Sequence, residues 1–165
     1  MRKFNILIIF LALLNLGLKA QSSQQLPAFP QAEGFGAYSV GGRGGKVIFV
    51  DNLNDSGPGS LRAAILDPEP RIIIFRVSGT IALKSNLEVS NPYITIAGQT
   101  APGDGICLKT FPLKIKNTHD VILRGIRVRP GIESGLDGNN IDGIDIEYSN
   151  NVIIDHCSAS WAVGE

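Results

Sequence analysis

The chain has 165 residues, enough for one modest domain with its own core, and 44% of them are hydrophobic, which argues against disorder. Basic and acidic residues balance at 15 each, so the strongly basic charge typical of nucleic-acid-binding proteins is excluded. Nineteen glycines, a single methionine and few strong helix-forming runs favour strands and turns. The composition therefore predicts one domain rich in β-structure.

Residues 1–20 have the features of a secretory signal peptide. Arg2 and Lys3 precede an apolar run at 6–14, and the segment ends on a small residue. The run is shorter than the ~20 apolar residues of a membrane span. Cleavage would leave 12 basic residues against 15 acidic ones, because three basic residues lie in this segment. We expect an exported, soluble protein, secreted or periplasmic, with no nucleic-acid or membrane partner, and a polar linker at 21–27.

Two cysteines, Cys107 and Cys157, lie in apolar runs. A disulfide is possible in an oxidising compartment, but a free cysteine is also a common small core residue, and we favour two buried thiols. Cys157 is not expected to be a nucleophile, because His156, the nearest base, would point to the opposite face of a strand.

The domain proper is expected at residues 28–165, and it begins with a glycine-rich segment at 29–45. No strand precedes this segment and no GK[ST] sequence follows, so nucleotide binding is disfavoured, and the glycines are expected to let backbone pass close to backbone. A strand is predicted at 46–51. A turn follows, and then a short amphipathic helix at 61–66 with Ser60 as its N-cap.

From Arg71 onward the sequence changes to short β-branched runs bounded by turn-forming residues. Three segments, at 92–98, 120–126 and 151–157, share one pattern and recur at spacings of roughly 27 and 31 residues, as expected for a repeating unit with loops of variable length. Stacked repeats bury a continuous core, so we predict an all-β right-handed parallel β-helix whose N-terminal end is capped by the helix. The predicted strands are 72–77, 80–83, 93–97, 106–109, 113–115, 121–128, 144–146 and 152–158.

Residues 139–161 concentrate the candidate chemistry. Asp142, Asp145, Glu147 and Asp155 lie between short β-branched runs. Outward positions on such strands can hold several carboxylates together, and hard oxygen ligands suit Ca²⁺ better than Zn²⁺. Spacing alone favours the alternative that they are solvated strand and turn residues.

Four motifs together resemble the secreted pectate lyases of polysaccharide lyase family 1, in the form common in bacteria. The resemblance covers nearly all of the chain after the expected signal peptide. The motifs are AEGFGA with GGRGG in 32–45, NLNDSGPGSLR in 52–62, AGQTAPG in 97–103 and IDHCS in 154–158.

The resemblance implies a right-handed parallel β-helix that cleaves 1,4-linked, de-esterified galacturonan by β-elimination with Ca²⁺. The C5 proton of galacturonate is weakly acidic, and a cation on the neighbouring carboxylate would stabilise the charge that develops when the proton is removed. Asp142 falls where the family places a Ca²⁺-binding aspartate. Asn140 falls where some members carry a second aspartate, and Glu165 resembles a downstream acidic position.

The family's proton-abstracting arginine lies on a later coil, within an Arg-x-Pro-x-x-Arg-like segment, and no such segment occurs here. The chain thus resembles the N-terminal portion of the family's domain, and we expect weak or no lyase activity from these residues alone. Arg127 and Arg129 are interpreted as coil-face residues that contact substrate. Asp155 and His156 are expected to stabilise the coil by hydrogen bonds.

Two other functions stay open. A polygalacturonase-like hydrolase on the same architecture would need an aspartate with a raised pKa for acid catalysis, and Asp142 with Asp145 is a candidate pair. A non-catalytic β-helix that binds acidic polysaccharide would need neither group. The sequence does not predict an oligomeric state, because an uncapped coil could stack on another chain.

Overall fold

In the computed structural model, which describes residues 25–132 and 141–162, the chain forms a parallel β-helix. The expected signal peptide, 1–20, lies outside the described residues. Every strand pair is parallel. In chain order the elements are β1 (Lys46–Val50), α1 (Leu61–Leu66), β2 (Arg71–Phe75), β3 (Gly79–Ala82), β4 (Leu87–Val89), β5 (Ile94–Ala97), a 3₁₀ turn (Gly98–Thr100), β6 (Ile106–Lys109), β7 (Leu113–Lys116), β8 (His119–Arg124), β9 (Ile126–Arg129), β10 (Ile144–Glu147), β11 (Asn150–Asp155) and β12 (Ser158–Ala159).

The strands form three sheets, and each turn of the solenoid after the first contributes one strand to each sheet in succession. Sheet A has the order β1-β2-β5-β8-β11, sheet B the order β3-β6-β9-β12, and sheet C the order β4-β7-β10. Ile94 pairs with Val121, and Val121 with Val152, so the repeat spacings of 27 and 31 residues seen in the sequence are spacings between stacked turns. The predicted fold class is confirmed.

The core is made of inward side chains that stack from turn to turn. Ile73, Ile96 and Leu123 form one such stack in sheet A, and all three are almost fully buried. Alternate residues of each strand point inward, which is why the β-branched runs fit the strands. Each fully buried side chain of this size contributes about 1.5–3 kcal/mol of transfer free energy.

The helix α1 closes the N-terminal end of this core, as predicted. The Ser60 hydroxyl accepts a hydrogen bond from the Ala63 N–H at 3.2 Å, so Ser60 is the N-cap. Leu61 and Ile65 are buried in the core, and the helix packs against β1, β2 and β4. The first turn of the solenoid therefore has a helix in place of two further strands.

The glycine-rich segment crosses the outer side of sheet A. The Val40 N–H donates to Asp120 Oδ1 and the Gly42 N–H donates to Thr95 Oγ1, both at 2.9 Å. A Cβ atom on Gly42 would overlap the carbonyl oxygen of Arg71. The expectation that these glycines allow close backbone approach is confirmed.

Three strand assignments from the sequence need correction. The predicted strands 121–128 and 152–158 are each two strands, separated at Gly125 and His156. Both residues have positive φ, +65° and +51°, which turns the chain from sheet A into sheet B. The strand Leu87–Val89 was not predicted, because only two apolar residues mark it. Among the described residues, no helix is long and apolar enough to cross a membrane.

The loop before α1 is fastened by a buried ion pair. Asp55 Oδ1 accepts from Arg62 Nη2 at 2.6 Å and from the Lys84 N–H at 3.1 Å, and Arg62 also donates to the carbonyl oxygens of Ser85 and Asn86. The two side chains are 9% and 16% exposed. This cluster joins the loop and the helix to the segment between β3 and β4.

The Asp55 pair predicts a loss of stability in acid. Burial opposes ionisation of Asp55, but the hydrogen bonds from Arg62 and the Lys84 N–H, together with the charges of both residues, hold its pKa below the ordinary value. The ion pair therefore contributes stability above the unfolded pKa of about 3.9, and that contribution is lost as pH falls through the lower folded pKa. We expect Asp55→Asn to lower the free energy of unfolding by about 1–3 kcal/mol at neutral pH. Urea unfolding of both proteins across the acid range should show this difference shrinking, and a difference that stays constant into strong acid would contradict the assignment.

Candidate functional site

The outward face of sheet C carries a ladder of paired charges. Strand pairing places Lys114 beside Asp145 and Lys116 beside Glu147. Lys114 Nζ lies 2.9 Å from Asp145 Oδ2, and Lys116 Nζ lies 2.6 Å from Glu147 Oε2. Opposite charges in register stabilise neighbouring strands and leave this part of the face nearly neutral.

These pairs shift the pKa values of one acidic and one basic residue. Burial opposes ionisation of Asp145, yet the hydrogen bond and charge of Lys114 hold the pKa of that carboxyl below its ordinary value. The hydrogen bond that Lys116 donates to the Glu147 carboxylate raises the pKa of Lys116. A glycosidase acid needs a raised pKa, so Asp145 does not fit the role required by the hydrolase hypothesis.

Asp142 lies two residues before β10, at the edge of sheet C. Its neighbours fix its position: Ile141 is 1% exposed, and the Gly143 carbonyl oxygen accepts a hydrogen bond from the Leu113 N–H at 3.1 Å. Gly143 itself faces Ala159, which leaves no room for a larger side chain. Asp142 is half-buried, and no ion pair or hydrogen bond joins its carboxylate to another side chain in the described ranges.

The other two predicted Ca²⁺ ligands, Asn140 and Glu165, lie outside the described residues. Within 25–132 and 141–162, no group of three or more His, Cys, Asp or Glu side chains is positioned to hold a metal ion. Asp142 is therefore the one predicted ligand whose position can be described.

Arg127 and Arg129 lie on β9 and face outward from sheet B, so they are not on the sheet that ends at Asp142. Arg129 Nη1 donates to the carbonyl oxygens of Val128 and Ser158, at 2.9 and 2.8 Å, and its Nη2 donates to Ser158 Oγ at 2.7 Å. Among the described residues, the predicted ligand Asp142 and the two predicted substrate residues are therefore on different sheets.

Asp155 forms a bridge between two turns. Its Oδ2 accepts from Arg124 Nε at 2.6 Å, and its Oδ1 lies 2.7 Å from Nδ1 of His156, an exposed side chain. Burial opposes ionisation of Asp155, but these two hydrogen bonds hold its pKa below the ordinary value. Arg124 in turn lies over the Phe29 ring, with its guanidinium carbon 4.1 Å from the ring centroid. The predicted hydrogen-bonding role of Asp155 and His156 agrees with this geometry.

Both cysteines are free thiols. Cys157 packs against the core, where burial raises the pKa of its thiol, as expected for an unreactive residue. Both thiols are only half-buried, which differs from the prediction of two buried thiols, and Cys107 faces outward beside Arg127.

The sequence reasoning missed Lys114 and Lys116. Their only signal is the alternation Leu-Lys-Ile-Lys at 113–116, which marks two outward positions on one strand. It also missed Trp161, which is 71% exposed beside sheet B. Which residues lie beside Lys114, Lys116 and Trp161 depends on the lengths of the turns between strands, and the sequence pattern does not give those lengths.

Comparison with known proteins finds relatives that are named as pectate lyases. A 155-residue stretch is 50% identical to "Probable pectate lyase C" of Emericella nidulans, covering 94% of this chain and 35% of that protein. "Probable pectate lyase 18" of Solanum lycopersicum is 34% identical over 165 residues, covering 88% of this chain and 40% of the relative. No family model matches the chain.

A solved structure supports the architecture. The crystal structure of jun a 1, the major allergen from cedar pollen, superposes with a TM-score of 0.64 and 26% sequence identity, covering 74% of this chain and 40% of that one. The chain is thus a parallel β-helix homologous to proteins named as pectate lyases, and it spans about a third of the length of the first of those relatives. These relatives are fungal and plant proteins, so they do not confirm the bacterial form indicated by the motifs.

Proposed function

We propose that the protein carrying this chain is a Ca²⁺-dependent pectate lyase of polysaccharide lyase family 1, which cleaves 1,4-linked galacturonan by β-elimination. The supporting observation is the 50% identity to a named pectate lyase across 94% of the chain. Because the chain covers only about a third of that relative, activity, substrate and cofactor are proposed for the whole protein.

The described residues fit Ca²⁺ chemically but supply only part of a site. Asp142 offers a hard oxygen ligand at the edge of sheet C, with no described side chain bound to it. Ca²⁺ takes six to eight oxygen ligands, so Asn140, Glu165 and groups beyond this chain would complete the site. Bound there, the cation would neutralise the substrate carboxylate and stabilise negative charge at the adjacent carbon.

The residues of sheet C would then prepare the face for a polyanion. Lys114 and Lys116 balance Asp145 and Glu147, which removes the repulsion that two free carboxylates would exert on galacturonate. The proton-abstracting group is assigned to no residue of this chain. Arg127 and Arg129 are proposed to contact the polysaccharide from sheet B.

Export accompanies this function. Pectin is an extracellular polymer, and residues 1–20 have the composition of a signal peptide. We propose that the mature protein acts outside the cell.

The hydrolase alternative is disfavoured, because Asp145 has a lowered pKa where acid catalysis needs a raised one. Product analysis separates the candidates. With polygalacturonate, a lyase leaves an unsaturated sugar that absorbs in the ultraviolet, whereas a hydrolase releases reducing ends without this absorbance. Binding without either product would indicate a non-catalytic polysaccharide-binding β-helix.

A further inference from the structure

The outward face of sheet B forms a groove that is separate from sheet C. It is a cavity of about 340 Å³ between stacked strands and the segment after β12. The residues that line it are Thr80, Cys107, Lys109, Arg127, Arg129 and Trp161. We call this surface the sheet B groove.

The sheet B groove concentrates positive charge. Among the described residues that line it are the two arginines Arg127 and Arg129, and none of these described residues is acidic. Arg127 and Arg129 are alternate residues of β9, so their Cα atoms lie about 7 Å apart along the strand. Neither forms an ion pair with a carboxylate in the described parts of the chain. Sheet C differs, because there Lys114 and Lys116 each have an acidic neighbour in register.

The groove is also preorganised. Three hydrogen bonds from Arg129 to Val128 and Ser158 fix its guanidinium against β12. The Trp161 carbonyl oxygen accepts from the Gly131 N–H at 3.0 Å, which ties the tryptophan backbone to the end of β9. A guanidinium that is already held in place loses less entropy on binding, and arginine and tryptophan are the side chains that most often dominate binding energies at recognition sites.

We propose that the sheet B groove is an accessory binding site for a polyuronate chain, which it holds without cleaving. Guanidinium groups match carboxylates in charge and geometry, and the indole offers an apolar surface on which the face of a sugar ring can stack. The identity of the ligand rests on the proposed function, since de-esterified galacturonan carries one carboxylate on each sugar.

Affinity electrophoresis in gels containing polygalacturonate tests the groove directly. A chelator in the gel suppresses Ca²⁺-dependent binding at sheet C, so the remaining retardation reports on other surfaces. We expect Arg127→Gln and Trp161→Ala each to weaken retention about tenfold, equivalent to the loss of one strong contact. Arg76→Gln is the matched control, because it removes one positive charge from a side chain that stacks on Phe49, outside the groove. Circular dichroism would verify that each variant is folded.

The outcomes separate the accessory site from the lyase assignment. Retention of the native protein by polygalacturonate but not by fully methyl-esterified galacturonan supports the groove. Equal retention of the groove variants and the native protein would overturn it, even if the protein makes unsaturated product. If dextran sulfate retained the native protein as strongly as polygalacturonate does, the assignment of the ligand as a polyuronate would be overturned. Retention that depends on Arg127 and Trp161, without unsaturated product, would leave the groove intact and remove the lyase function.

Discussion

Replacing Arg71 with leucine should cost the protein about 3–5 kcal/mol of its free energy of unfolding. Arg71 is completely buried, and its guanidinium serves as the C-terminal cap of α1. Its Nε donates to the Ala64 carbonyl oxygen at 3.1 Å and its Nη2 to that of Ile65 at 2.5 Å, while Nη1 donates to the carbonyl oxygens of Glu69 and Pro92. A leucine would leave these buried acceptors without donors, and the positive charge at the negative end of the helix would be lost.

Urea unfolding measures this loss of stability, and two further variants show whether it comes from the capping hydrogen bonds of Arg71. Arg71→Lys keeps the charge but cannot reach several acceptors at once, so it should lie between the native protein and Arg71→Leu. Arg76→Leu removes an exposed arginine with one ring contact and one exposed ion pair, and it should change stability by about 1 kcal/mol or less. Equal unfolding midpoints for Arg71→Leu and Arg76→Leu would contradict the capping role.

Replacing Asp142 with asparagine should raise the Ca²⁺ concentration needed for half-maximal lyase activity about tenfold to hundredfold. Calcium affinity follows the number of charged ligands, and this change removes one negative charge while keeping an oxygen at nearly the same position. The fold should be preserved, because Asp142 makes no described hydrogen bond and its neighbours Ile141 and Gly143 hold the backbone. The measurement is the rate of unsaturated product formation from polygalacturonate as Ca²⁺ is titrated.

Asp104→Asn is the matched control for this variant. Asp104 is an exposed loop residue that lies outside sheet C, and its replacement should leave the Ca²⁺ dependence unchanged. If Asp142→Asn showed the native Ca²⁺ dependence, Asp142 would not be a ligand, even if the protein proved to be a lyase.

The fold could be predicted from the sequence because local signals agree with the architecture. The α1 boundaries and the Ser60 cap follow from short-range patterns, and the repeat spacing of 27 and 31 residues reveals the stacking of turns. The bends at Gly125 and His156 were hidden because each is only one or two residues long and has a strand on both sides. A single residue with positive φ changes the direction of the chain, and at Gly125 the visible trace is a shift of the buried positions from Val121 and Leu123 to Ile126 and Val128.

The site was harder to predict because it depends on which residues are neighbours across the turns. Lys114 and Asp145 are 31 residues apart, and only the register of β7 and β10 brings them together. Arg124 and Asp155 meet in the same way between β8 and β11. The sequence identified the acidic residues, but the lysine and arginine side chains that set their pKa values come from the preceding turn.

Calcium restoration tests the central claim most directly. The protein carrying this chain would be stripped with a chelator, mixed with polygalacturonate, and followed by ultraviolet absorbance while Ca²⁺ is added back. We expect no absorbance increase before addition and a saturable increase afterwards, with little increase on fully methyl-esterified galacturonan. Release of reducing ends without absorbance, or absorbance that is unaffected by the chelator, would contradict a Ca²⁺-dependent lyase.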